Sequence, residues 1–276
     1  MKVTTILLVI LALASCHRAE AKKCGKAPIK IAIIDTGFGY KDEGHDAHLC
    51  QYGHKDFSNE KNFTKNYVTH DPIPVDVHGH GTNIAGIIGQ YANDAGINYC
   101  IVVIKFYSEK QTGAQNLLST IRAFNYAANI KSDYVNYSGG GNFSNKIEHA
   151  AIKRYLDHGG HFVAAAGNEG RELRHERPEL DEQFDDGKTE AYFPAMYDPR
   201  IIVVGNLCEN GVEYRKQDGT TVQRCPSSNY GSLVSRWEVG ENITAYGITM
   251  TGTSQATAVA TGKIVAESTN KCDIGF

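Results

Sequence analysis

From position 29 onward the chain alternates two patterns. One is a short, uninterrupted apolar run, found at 29–34, 100–106, 134–137, 161–166 and 201–205. The other is a longer stretch in which apolar or small residues return every three or four positions, found at 82–91, 116–129, 146–158 and 253–267. The runs read as strands, and because they do not alternate with polar residues, both of their faces must be covered. The longer stretches read as helices. Strands and helices in alternation predict βαβ units, hence an α/β fold of three layers with a mainly parallel central sheet and helices on both faces. No internal repeat and no second domain interrupts this pattern.

A chain of 276 residues can bury a full core as one domain. Its 41% hydrophobic content and 28 glycines suit a loop-rich globular enzyme rather than a disordered or fibrous chain. The net charge of -3 gives no reason to expect nucleic acid or an anionic membrane surface as a partner.

The first residues differ from the rest. Met1-Lys2 supplies a basic start, and 3–14 is an almost wholly apolar run, too short to cross a bilayer comfortably. Residues 1–21 therefore read as a secretory signal and 22–276 as the mature domain. Two ends to the signal are open. Ala19-Glu20-Ala21 has the small-x-small form of an ordinary cleavage site, whereas Leu13-Ala14-Ser15-Cys16 resembles the lipobox of bacterial lipoproteins. The second is favoured, because its cysteine directly follows the apolar run; a lipid on Cys16 would then be the protein's one membrane attachment. Six cysteines remain (Cys24, Cys50, Cys100, Cys208, Cys225, Cys272), an even number compatible with disulfides in an oxidising compartment. No C-x-x-C pair suggests zinc. Cys208 and Cys225 flank a stretch with Asn210-Gly211 and Asp218-Gly219 turn signals, so they either close a hairpin or stay separate thiols. Sequons begin at Asn62, Asn136, Asn142 and Asn242, and we treat them as coincidental, Asn136 lying in a predicted buried strand.

Four segments carry chemistry. Ile31-Ala32-Ile33-Ile34-Asp35-Thr36-Gly37 delivers a carboxylate to the carboxyl end of a strand, where open α/β sheets place their sites. Gly79-His80-Gly81-Thr82-Asn83-Ile84-Ala85-Gly86 fixes an imidazole at the start of a small-residue helix, suited to general-base work. Gly252-Thr253-Ser254-Gln255-Ala256 places a hydroxyl at another helix start, where the helix dipole favours developing negative charge and the Ser254 amide can donate to it. Phe162-Val163-Ala164-Ala165-Ala166-Gly167-Asn168 ends a strand with an amide able to donate the second bond of an oxyanion hole. Singly, each has a plainer reading as a turn, cap or structural residue.

Together, in the order Asp, His, Ser, they resemble the subtilases, the family of subtilisin and proteinase K. The resemblance runs from about Ile29 to Ala266. It implies a subtilisin-like fold and a serine endopeptidase with Asp35, His80 and Ser254 as triad and an oxyanion hole of Asn168 and the Ser254 amide. The stretch Tyr137-Ser138-Gly139-Gly140 resembles the family's substrate-lining strand, so Ser138, Gly139 and Gly140 are expected to bind an extended protein or peptide substrate by backbone pairing. Walls rich in glycine and alanine near 139–141 and 165–167 suggest an open pocket for a large apolar side chain.

The chain also departs from the pattern. Asp35 follows the signal closely, leaving no space for the propeptide many subtilases carry. Ala258 and Val259 stand where proline and histidine are usual, and the connection 243–251 before the nucleophile is short. Calcium-binding loops are not evident: 91–98 is brief, and Asp42, Asp46 and Asp94 could still ligate a structural calcium but read more simply as surface carboxylates, so no cofactor is expected. The segment 169–190 is crowded with charge and reads as a solvated loop or a lid over the cleft. These departures leave room for a second reading, a non-catalytic subtilase-fold module that binds peptides.

Overall fold

The structure is a computed structural model and describes residues 27–39, 48–64, 70–173 and 191–268. The signal, Cys16, Cys24, Cys272, Asp42, Asp46 and most of the charged segment therefore lie outside the described residues. In chain order the elements are β1 (Ile29–Asp35), β2 (Lys55–Asp56), β3 (Phe63–Thr64), β4 (Ile73–Pro74), α1 (His80–Asp94), β5 (Tyr99–Lys105), α2 (Gly113–Asn129), β6 (Tyr134–Tyr137), α3 (Lys146–Asp157), β7 (His161–Ala165), β8 (Ile202–Arg215), β9 (Thr221–Arg224), β10 (Arg236–Val239), β11 (Ile243–Ala245), β12 (Ile248–Met250) and α4 (Thr253–Ala266).

The central sheet runs β10-β8-β7-β6-β1-β5-β2 with every pair along it parallel, and β9 adds antiparallel to β8. The expected three-layer α/β architecture is thus present. Alternation along β1 divides the core: Ala32 and Ile34 pack with Phe124, Val135 and Phe162 on one face, while Ile31 and Ile33 pack with Ile84, Ile88 and Val259 on the other. Ala258 and Val259, the residues that depart from the family pattern, are both buried in that second layer.

Strand order positions the site. After α1 the chain enters β5 on one side of β1; after α2 it crosses back to β6 on the other. The carboxyl ends of β1 and β6 flank the reversal, with Ile34 opposite Tyr137. Open parallel sheets leave a crevice at such a point, and Asp35 and Ser138 are the residues delivered to it.

Boundaries differ from expectation in two instructive places. Helix α1 starts at His80 rather than 82, because Asp76, lying outside the helix, supplies the cap. Strand β8 runs on to Arg215, its exposed second half paired with β9 and closed by a Cys208–Cys225 disulfide, which decides for the hairpin. A second disulfide joins Cys50 to Cys100. Asn136 is fully buried, so its sequon is closed to modification. No helix among the described residues is long and apolar enough to cross a membrane.

Candidate active site

Asp35 ends β1 and is 3% exposed. Its Oδ1 accepts the Thr36 amide at 2.7 Å and faces His80 Nδ1 at 2.7 Å. A carboxylate acceptor there places the imidazole proton on Nδ1 and leaves Nε2 with its lone pair, the tautomer a general base needs. His78, two residues earlier, is exposed and has no such partner; its ring lies 6.1 Å from that of His80. A Cβ at Gly81 would overlap the Gly37 carbonyl and press on Asp35, so only glycine lets α1 begin this close to β1.

What holds His80 at this spot is Asp76, a residue that sequence reasoning missed. Asp76 is buried, and its two oxygens accept five hydrogen bonds: from Thr36 Oγ1, the His78 and Gly79 amides, and the amide and hydroxyl of Thr82, at 2.7–2.9 Å. Gly79, the formal cap of α1, has no side chain to give, and Asp76 does that work from four residues ahead of His80. The signal was present as an aspartate just upstream of a helix start. Burial alone would raise the Asp76 carboxyl, but these donors outweigh it and hold the pKa below the usual carboxylate value. For His80, burial pulls the pKa down; the charge and hydrogen bond of Asp35, then the charge of Asp76, more than offset it, and the net shift is upward.

Ser254 lies in the first turn of α4 and is buried. Its hydroxyl donates to the Ser138 carbonyl at 3.1 Å, and its own carbonyl accepts the Ser138 hydroxyl at 3.1 Å. No hydrogen bond joins Ser254 to His80 in this structure. The two helix starts are nevertheless tied, because Gln255 Nε2 donates to Asn83 Oδ1 at 3.1 Å, and Asn83 Nδ2 reaches the Ile243 and Ile248 carbonyls. The short connection before the nucleophile is thus the β11–β12 hairpin, pinned to α1.

Asn168 follows β7 and is exposed. Its Oδ1 accepts the amide and hydroxyl of Thr253, at 2.9 and 3.1 Å. That fixes which end of the side chain faces α4 and leaves Nδ2 as a donor on the open side. Asn229, also missed, supports this turn by accepting the Glu169 and Arg171 amides and donating to Ala166 and Glu169. Two residues beyond Gly139, Gly141 exchanges both backbone bonds with Phe193. The Tyr192 ring packs against both Gly140 and Gly167, while 139–141 also borders an open, largely apolar cavity. Among the described residues no cluster of three or more His, Cys, Asp or Glu side chains could hold a metal ion.

An Asp–His pair beside a helix-start serine, at the carboxyl edge of a parallel sheet and in the chain order Asp, His, Ser, is the layout of subtilisin-type proteins. The chain belongs to the subtilase family, whose profile matches residues 26–271. It is 30% identical over 233 residues to the minor extracellular protease Epr of Bacillus subtilis, covering 83% of this chain and 30% of that one. It is 28% identical to the major intracellular serine protease of the same organism, covering 65% of this chain and 51% of that one. The chain therefore spans about half or less of these relatives' length. Among solved structures, it resembles the epidermin leader peptide processing serine protease of Staphylococcus aureus, with a TM-score of 0.63, 23% identity, and coverage of 89% of this chain and 66% of that one. A lanthipeptide protease superposes with a TM-score of 0.60 at 19% identity, covering 86% of this chain and 72% of that one. Both likenesses bear on the fold.

Proposed function

We propose that the protein is a serine endopeptidase acting outside the cytoplasm. The observation that carries the reading is the 2.7 Å bond from Asp35 to His80 Nδ1, at a helix start tied through Asn83 and Gln255 to the helix start that bears Ser254. Ser254 attacks the peptide carbonyl after rotating its hydroxyl from Ser138 to His80 Nε2. His80 takes the proton and later returns it to the leaving amine, and Asp35 orients the ring and stabilises the imidazolium. The Ser254 amide and Asn168 Nδ2 hold the oxyanion. An extended peptide pairs with the backbone at Ser138, Gly139 and Gly140. Export is supported by the apolar leader, by two disulfides and by the extracellular relative Epr. On this reading Cys16 carries a lipid, and mass spectrometry of the mature amino terminus distinguishes that from a free Lys22.

The activity is tested with a fluorophosphonate probe. Folded wild type should be labelled and Ser254→Ala should not. A folded wild type that resists labelling would favour the peptide-binding module instead.

A further inference from the structure

A cavity of about 710 Å³ opens from Asp35 and His80 and runs beside the segment from Ser138 to Gly141. Its walls are largely apolar, with Phe106, Tyr107, Leu117 and Phe143 among them. Gly139 keeps it open: a Cβ there would lie 3.0 Å from the Tyr137 ring and 3.3 Å from Phe106. Into this apolar surround projects one carboxylate that the triad chemistry does not use, Glu148, from the first turn of α3.

Glu148 is 5% exposed. Its Oε2 accepts the Tyr197 hydroxyl at 2.7 Å, and among the described residues no other side chain bonds this carboxylate. Among the described residues no lysine or arginine lines the cavity, and the other carboxylate there, Asp35, is committed to His80. Burial pushes the Glu148 carboxyl up to about 7, with the Tyr197 bond working the other way. Among the described residues an acid so placed has a neutral hydroxyl for a partner and no cation, and a cation brought to it would receive a charge-assisted bond in an apolar surround.

We infer that Glu148 makes this cavity a specificity subsite for a basic side chain of the substrate, lysine or arginine, whose stem lies along the aromatic walls while its head meets Oε1. The inference rests on the endopeptidase reading, and one experiment separates the two. Labelled hexapeptides, identical except that lysine, arginine or norleucine is walked through each position, are measured for binding to Ser254→Ala by fluorescence anisotropy. The same walk is read on wild type as kcat/KM. At one position the cationic residues should exceed norleucine about tenfold or more. In Glu148→Gln, which keeps the shape and still accepts from Tyr197, that ratio should fall toward one. The inference is overturned if no position prefers a cation, if the preference survives in Glu148→Gln, or if no peptide is bound or cut at all. Wild type that cuts nothing while Ser254→Ala keeps the cation preference would sink the endopeptidase reading and leave this one standing.

Discussion

The two halves of the site are held by different chemistry. On the α1 side His80 is fixed by carboxylates: Asp35 bonds its ring, and Asp76 gathers five donors around the helix start. On the α4 side Ser254 is fixed by neutral groups alone. Ser138 exchanges bonds with it, Asn136 Nδ2 donates to the Ser138 hydroxyl at 3.1 Å, Thr261 donates to Asn136 at 2.8 Å, and Asn168 caps Thr253. The base half must therefore tune a charge as well as a position, and the nucleophile half needs position only. Buried ionic bonds respond to pH and buried neutral ones do not.

The comparison is broken most sharply at Asp35. Asp35→Asn keeps the size of the side chain but no longer demands a proton on Nδ1. Turnover should fall about 10⁴-fold, the cost of the wrong tautomer, with KM little changed. A fall below tenfold in steady-state assays would remove Asp35 from the triad. On the other half, Asn168→Ala takes one oxyanion donor and should cost about 10²- to 10³-fold in kcat, the value known for the equivalent asparagine of subtilisin. A drop confined to KM would show that Asn168 binds substrate without stabilising the transition state.

The sheet was largely legible in the sequence, and so was the Asp35–His80 pair that the fold brings together, whereas the residues that hold the candidate groups in place were not. The continuous runs marked the buried strands because covering both faces leaves no room for alternation, as at β1 and β5. Strands β2, β3 and β4, of two residues each, are too short to show any period. The residues of the proposed triad sit in local motifs whose glycines serve contacts close by. Asn83 bonds the Ile243 carbonyl 160 residues away, and Thr261 bonds Asn136 125 residues away. Nothing local in either segment names such a partner, because only the folded chain brings the two together. Glu148 was hidden for the same reason: on a helix face it reads as an ordinary solvated acid, and only packing buries it.

Asp76→Asn sharpens the contrast, because it keeps a side chain in place while removing charge. Donors aimed at both oxygens would meet an amide at one of them, and denaturant unfolding should show a loss of about 2–3 kcal/mol. The rate profile should also move. On the proposed mechanism turnover needs neutral His80, so kcat/KM in wild type should rise with pH through an inflection above the ordinary histidine value of 6.5. His80's contribution to stability runs the other way: it is complete below the unfolded value and is lost as pH climbs through the raised folded one. Without the Asp76 charge the inflection should shift to lower pH, while in Asn168→Ala it should stay where wild type has it. An unmoved inflection in Asp76→Asn would reduce Asp76 to a helix cap.

The smallest effect is expected at Thr261→Val, in the neutral half. The change keeps the shape, removes one hydroxyl, and leaves Asn136 Oδ1 buried without that donor, which should cost about 1 kcal/mol in unfolding experiments. Because Asn136 holds Ser138, and Ser138 holds Ser254, the loss should reach the nucleophile as a modest fall in kcat at every pH. The inflection of the rate profile should not move, since no charge near His80 has changed. A shifted inflection would mean that the neutral half also tunes the base, and the division between a charge-set half and a position-set half would fail.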